Sequence, residues 1–273
     1  MRSTTVARVR SRGGRASDSP AAQAMARAGL TARGLIWILI GCVTALVAFG
    51  HAHQEADQQG ALQLLARQPL GSVLLWVLGI GFVSYTLWCL SQAAFGVAGE
   101  GSGAGPRLKS VGRAIVYSFF AYLTFQVISG AQGSQSRRQQ DMTAKAMQHP
   151  GGRWLVGIVG LIVVIAGLVL VGQGIRRTFL KYLRTSRMSH RTRRVVGLLG
   201  VIGTTARGVV VAVVGGLVIE AAVTHKASES GGIDKALLTL RNQPLGEILM
   251  LPAALGLIVF GVYGLCEARW RKV

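Results

Sequence analysis

The chain has 273 residues, of which 51% are hydrophobic and only 15% charged, with 37 glycines and a positive mean hydropathy. That composition excludes an ordinary soluble domain and puts the protein in the membrane class. A net charge of +20 would suit a nucleic-acid binder, but no stacking aromatics or binding-fold motif accompany the charge, and nucleic acid is not expected as a partner.

Residues 1–25, rich in Arg, Ser and Gly, read as a disordered basic cytoplasmic tail. An arginine-rich start before an apolar run imitates a signal peptide. The run that follows is one of several equivalent runs, however, so it is expected to be retained. Six apolar runs follow in chain order, over about 34–50, 72–94, 114–130, 154–175, 208–224 and 248–266. Each is long enough to cross a hydrocarbon core of about 30 Å as a helix, and a lipid-exposed open sheet would leave backbone groups unpaired.

The runs are organised by an internal repeat. Arg33, Arg113 and Arg207 each open an odd-numbered run, and Pro69, Pro150 and Pro244 stand about 36 residues further on, ahead of an even-numbered one. Gln92, Gln173 and Glu267 then lie at one fixed spacing beyond their own proline. The units are hairpins over 26–98, 107–183 and 195–273, forming one membrane domain. Gly41, Ala121 and Gly215 share a position, where small residues let membrane helices approach closely.

Between the two runs of each unit lies a shorter shared element. It begins at Asp57 in the first copy, at Asp141 in a degenerate second copy and at Asp234 in the third, and ends in Pro69-Leu70-Gly71, Pro150-Gly151-Gly152 and Pro244-Leu245-Gly246. Aspartate caps helices and proline suits a first turn. A short amphipathic helix lying on the outer face is therefore expected in each loop. Of the 30 basic residues, 21 fall in the tails and the loops 95–113 and 176–194. This asymmetry places both termini in the cytoplasm and makes anionic lipid the expected partner at that face.

The repeated Arg-Gly opening, the Gly-Ala-Leu helix, the Gln-Pro-Leu-Gly turn and the closing Gln-Ala resemble the domain of unknown function 1206 family, over nearly all of 26–269. The resemblance implies paired transmembrane helices in tandem, a bacterial plasma membrane location and no assigned activity. The expected fold is all-α and integral to the membrane: six transmembrane helices as three parallel hairpins with pseudo-threefold symmetry. Mitochondrial carriers are also three two-helix repeats, but their odd-helix signature Pro-x-Asp/Glu-x-x-Lys/Arg is missing here.

Two polar constellations are candidates for function. Arg33, Arg113 and Arg207 share one depth with Gln92, Gln173 and Glu267, and read either as a clamp on each hairpin or as a cytoplasmic ring gating a central path. Glu220 lies deep in an apolar run with Gln126 at the matching place in the second repeat, which reads as a polar path for a proton, ion or small solute or as an interhelical hydrogen bond. His51, His53, Glu55 and His225 match no metal-site spacing. Cys42, Cys89 and Cys266 read as small apolar fillers, and Trp37, Trp76, Trp88, Trp154 and Trp270 as interface anchors. No Ser-x-x-Lys, Gly-x-Ser-x-Gly, phosphate-cradling loop or His-Glu-x-x-His motif is present, so neither catalysis nor a cofactor or metal is expected. The sequence leaves two functions open: transport of a small solute or ion along the pseudo-threefold axis, or a non-catalytic scaffold that binds lipids or a membrane partner.

Overall fold

The computed structural model describes residues 20–49, 57–95, 104–130, 134–149, 151–224, 235, 237 and 246–271. Most of the third copy of the short loop helix lies outside the described residues, as do His51, His53, Glu55, His225 and most of the basic tail. Among the described residues there are eight α-helices, namely α1 (Pro20–Ala48), α2 (Gln58–Ala66), α3 (Gly71–Phe95), α4 (Ala104–Ile128), α5 (Gln135–Met147), α6 (Gly152–Ile175), α7 (His190–Thr224) and α8 (Gly246–Trp270). Six of them, α1, α3, α4, α6, α7 and α8, are long and apolar enough to cross a membrane, the make-up of a multi-pass membrane protein.

The odd-numbered apolar runs open at the arginines, but the helices carrying them begin earlier. Arg33, Arg113 and Arg207 lie inside α1, α4 and α7, each preceded by two or more helical turns. The helices run through several glycines here, and prolines fall only in first turns, Pro20 opening α1 and Pro106 the third residue of α4, where a missing amide costs no hydrogen bond. On α7 the extension is used for packing. Phe179, in a 3-10 turn over Thr178–Tyr182, fills the space at Gly200, where an added Cβ would lie 2.3 Å from its ring.

Asp57 caps α2 as its position predicts, its Oδ1 accepting a hydrogen bond from the Gly60 amide at 2.9 Å. The second copy differs. Ser134 caps α5, which begins at Gln135 and leaves Asp141 mid-helix. The expected position of α2 on the surface also needs correction. It packs against α1, α3 and α4 and buries Gln58, Gln59, Ala61, Leu62 and Leu65, so it plugs one end of the bundle.

The proline turns have a geometric reason. Leu70 and Gly151, each one residue past the proline, both take left-handed backbone, with φ of 68° and 79°, and the next residue is a glycine that starts the long helix. A Cβ on Gly71 would lie 1.9 Å from the Leu65 carbonyl oxygen, and one on Gly152 would lie 1.7 Å from that of Ala146. The motif thus brings the start of a long helix against the last turn of the loop helix. Gly71→Ala is expected to cost about 2 kcal/mol, the order found for overpacking a tight site, and a thermal unfolding midpoint in detergent equal to that of the parent protein would contradict this account.

The closest helix pairings join successive repeats. α6 packs on α7, α8 on α1, and α3 on α4, while the pairs α1 with α3 and α7 with α8, inside the first and third repeats, are looser. α4 and α6, the two long helices of the second repeat, form no comparable contact. Two of these seams, α1–α8 and α6–α7, are made by glycine, and aromatic rings fill the α3–α4 seam. A Cβ on Gly34 would meet the Gly261 carbonyl oxygen at 2.8 Å, and one on Gly167 the Ala212 nitrogen at 2.5 Å. Such close approach is how helices associate when lipid is as apolar as their neighbours.

Candidate functional site

Most of the predicted polar residues gather at one end of the bundle, the arginine end. Glu267, buried near the end of α8, accepts charged hydrogen bonds through Oε2 from Arg33 of α1 and through Oε1 from Arg271, one turn beyond it. Both carboxylate oxygens are therefore committed. Burial works against the charge on Arg271, but the Glu267 carboxylate outweighs it and holds that guanidinium above the usual arginine range.

Aromatic rings surround these charges. The Arg207 guanidinium lies 5.1 Å from the Trp37 ring centroid and 4.9 Å from that of Phe260, and Arg33 lies 5.7 Å from the same Phe260 ring. Arg271 sits over Trp88 at 5.3 Å and Tyr182 at 6.0 Å. Cation–π attraction strengthens when the cation is desolvated. Tyr85 and Tyr117 pack edge to face at 4.4 Å beside Phe82, which continues the aromatic layer across α3 and α4. Trp37 and Trp88, expected at the membrane interface, are buried and belong to this layer, whereas Trp76 and Trp154 are exposed.

The predicted ring is brought together only in part. Arg113 donates to the Ser110 hydroxyl at 3.3 Å, and that hydroxyl lies 3.5 Å from the Gln92 side-chain oxygen. This second polar link again connects neighbouring repeats, α3 to α4. Gln173 is exposed, and its carbonyl accepts a hydrogen bond from Thr178. Arg207 has rings for neighbours where Arg33 has a carboxylate.

Gln126 and Glu220 have separate surroundings. Gln126 donates to the Tyr122 hydroxyl at 2.8 Å and accepts from Arg138 of α5 at 3.1 Å. Glu220 is exposed on α7, and its backbone carbonyl accepts from Thr224. Cys89 is buried and Cys42 exposed, and all three cysteines are free.

The linker between α6 and α7, unremarked in the sequence except for its charge, closes the arginine end. Leu183 is fully buried and forms a β-bridge with Arg271, and the Arg184 amide donates to the Trp270 carbonyl at 2.8 Å. Phe179 meets Tyr263 edge to face at 5.1 Å. The residues missed by sequence reasoning are Arg271, Phe260 and this strap. Arg271 had a signal in its spacing, since a carboxylate and an arginine four residues apart share a helix face. At the opposite end, where α5 turns into α6, a cavity of about 520 Å³ is lined by Met147, Gln148, His149, Arg153 and Trp154 among others.

The sequence profile of a family described as Domain of Unknown Function (DUF1206) matches the chain three times, over residues 28–96, 108–177 and 202–271. A relative in Bacillus subtilis (strain 168), described as uncharacterized protein YxxB, is 32% identical over 250 residues, with 90% of each chain covered. No solved structure matches the chain.

Proposed function

Because this chain belongs to the DUF1206 family, whose description leaves activity open, we propose from its own geometry that it is a non-catalytic membrane scaffold holding anionic lipid on the open side between α4 and α6. The setting we infer is a bacterial plasma membrane with both termini in the cytoplasm. The charge asymmetry of the loops supports that orientation, and the Bacillus relative supports a bacterial membrane. A pseudo-threefold relation is consistent with the three close seams, each of which joins the second long helix of one repeat to the first of the next.

The observation that carries the lipid reading is the state of α6. It is the most apolar of the six long helices and the least covered, with 17% of its apolar window buried. Leu155, Ile158, Leu161, Ile162 and Ile165 are all exposed, and this surface runs down from the Arg153, His149 and Trp154 cavity. An acyl chain of an outer-leaflet lipid suits the face, and its phosphate headgroup suits the Arg153 guanidinium in the cavity lining, at the end opposite the basic cytoplasmic face.

The rival reading, conduction along the axis, has less support. Gln126 and Glu220 do not face one another through any described contact. Along α1 the stretch between buried Arg33 and buried Thr44 is filled by Ile36, Trp37, Ile40 and Val43, all buried. The polar ends of the bundle are thus separated by an apolar and aromatic layer.

Purified protein is expected to retain anionic phospholipid in native mass spectrometry, and Ile162→Asp on the open face is expected to reduce the retained lipid. In liposomes it should pass protons and small ions no faster than empty vesicles. Flux above that background, abolished by Glu220→Gln, would replace the scaffold with a transporter.

A further inference from the structure

The arginine end gathers three guanidinium groups around one carboxylate, and we propose that a phosphomonoester-class oxyanion binds Arg207 there. The inference goes beyond the lipid reading, since it concerns a different end of the bundle and different helices.

The argument begins with what Glu267 can neutralise. Its two oxygens accept from Arg33 and Arg271, and no described hydrogen bond joins it to Arg207. The described contacts of the Arg207 side chain are the rings of Trp37 and Phe260. Its Nε is enclosed and has no hydrogen-bond partner among the described residues, and the same holds for Nε of Arg33. Arg33 and Arg207 both lie within 6 Å of the Phe260 centroid, so their mutual repulsion adds to the cost of burying them. Aromatic faces recover part of that cost. They do not replace a counter-charge, because a buried charge is tolerated when it is paired and hydrogen-bonded.

The class of anion follows from charge and shape. Three guanidiniums and one carboxylate leave an excess of two positive charges. A phosphomonoester carries about −1.5 to −2 at neutral pH, closer to that excess than chloride or a single carboxylate. The planar fork of arginine matches phosphate oxygens two at a time. Access exists as well. Arg207 as a whole residue keeps partial exposure although its Nε is enclosed, so the cluster borders accessible surface.

Two sources share this chemistry, free inorganic phosphate and the headgroup of phosphatidic acid. The test uses the full chain, purified in phosphate-free buffer and delipidated detergent, with thermal unfolding and calorimetry as readouts. Inorganic phosphate is expected to raise the unfolding midpoint saturably, with no rise in chloride at equal ionic strength. Arg207→Gln is expected to weaken binding at least about tenfold, the loss of one hydrogen bond to a charged group, whereas Arg191→Gln, an exposed arginine on the same helix, leaves it intact. Should Arg207→Gln fail to fold, Arg207→Lys keeps the charge, loses the fork and is expected to weaken binding in the same assay. A response to phosphatidic acid but not to inorganic phosphate would assign the site to a lipid headgroup, and a response to inorganic phosphate to a free anion. Two results overturn the proposal: no saturable response to either probe, or responses that survive in the Arg207 variants.

Discussion

Glu267→Ala is expected to destabilise the bundle by about 3–5 kcal/mol, the cost found when one partner of a buried ion pair is removed. The reason is arithmetical as well as geometric. One carboxylate serves both Arg33 and Arg271, each side chain close to nine-tenths buried, so its loss strands two cations. Arg33→Ala removes one cation and leaves Glu267 with Arg271, so its effect should be the smaller of the two. Replacing Glu267, Arg33 and Arg271 together by leucine should recover much of the loss, because a packed apolar cluster needs no counter-charge. Unfolding midpoints in detergent for the single, double and triple variants form the required cycle. Additive effects would show that the three side chains do not act as a unit.

The second large effect is expected at Gly167→Leu, on the seam between α6 and α7. A Cβ at this position would already lie 2.5 Å from the backbone nitrogen of Ala212, so a whole isobutyl group must force the helices apart, at about 3 kcal/mol or more. The consequence should be local. Among the described residues α6 otherwise touches only α5 and the turn after it to any extent, and the α1–α8 seam and the Glu267 cluster lie on other helices. A disulfide between Gly157→Cys and Ala222→Cys, in a background without the three native cysteines, reports the seam directly, since a Cβ at Gly157 would lie 3.8 Å from the Ala222 Cβ, the spacing a disulfide needs. Oxidation should close it in the parent and fail in Gly167→Leu, while the cluster persists. A crosslink that still forms would mean the seam absorbs the added volume.

The two outcomes bear on how much of this protein could be read from its sequence. Six long helices followed from hydropathy and length alone, and α3 and α6 start within two residues of the predicted runs. The repeat also placed Arg33 and Glu267 at one depth. It could not say which helix stands beside which, because spacing along a chain fixes height in a bundle and not angular position. Arg33 therefore meets a carboxylate of the third repeat, and Arg113 is linked through Ser110 to an amide of the first. The clamps tie repeats to one another where the sequence suggested they would close each hairpin. A similar limit explains α2. An amphipathic helix on the outer face is the expectation from its sequence, yet even its Gln58 and Gln59 are buried where the helix wedges between α1, α3 and α4, a placement decided by packing. Glu220 differs again: the sequence shows a carboxylate in an apolar run, and the structure gives it an exposed position on α7 with no described contact to Gln126.

The pairing of Arg33 with Glu267 spans 234 residues and so imposes an order on biogenesis. A ribosome delivers the first helix long before the last, and until α8 arrives the guanidinium of α1 has neither its carboxylate nor the glycine seam at Gly261. Nascent or truncated chains ending before α8 carry an uncompensated cation on their first span. Chains in which α8 has docked do not, so the docking of α8 against α1 is the step that compensates the charge of Arg33.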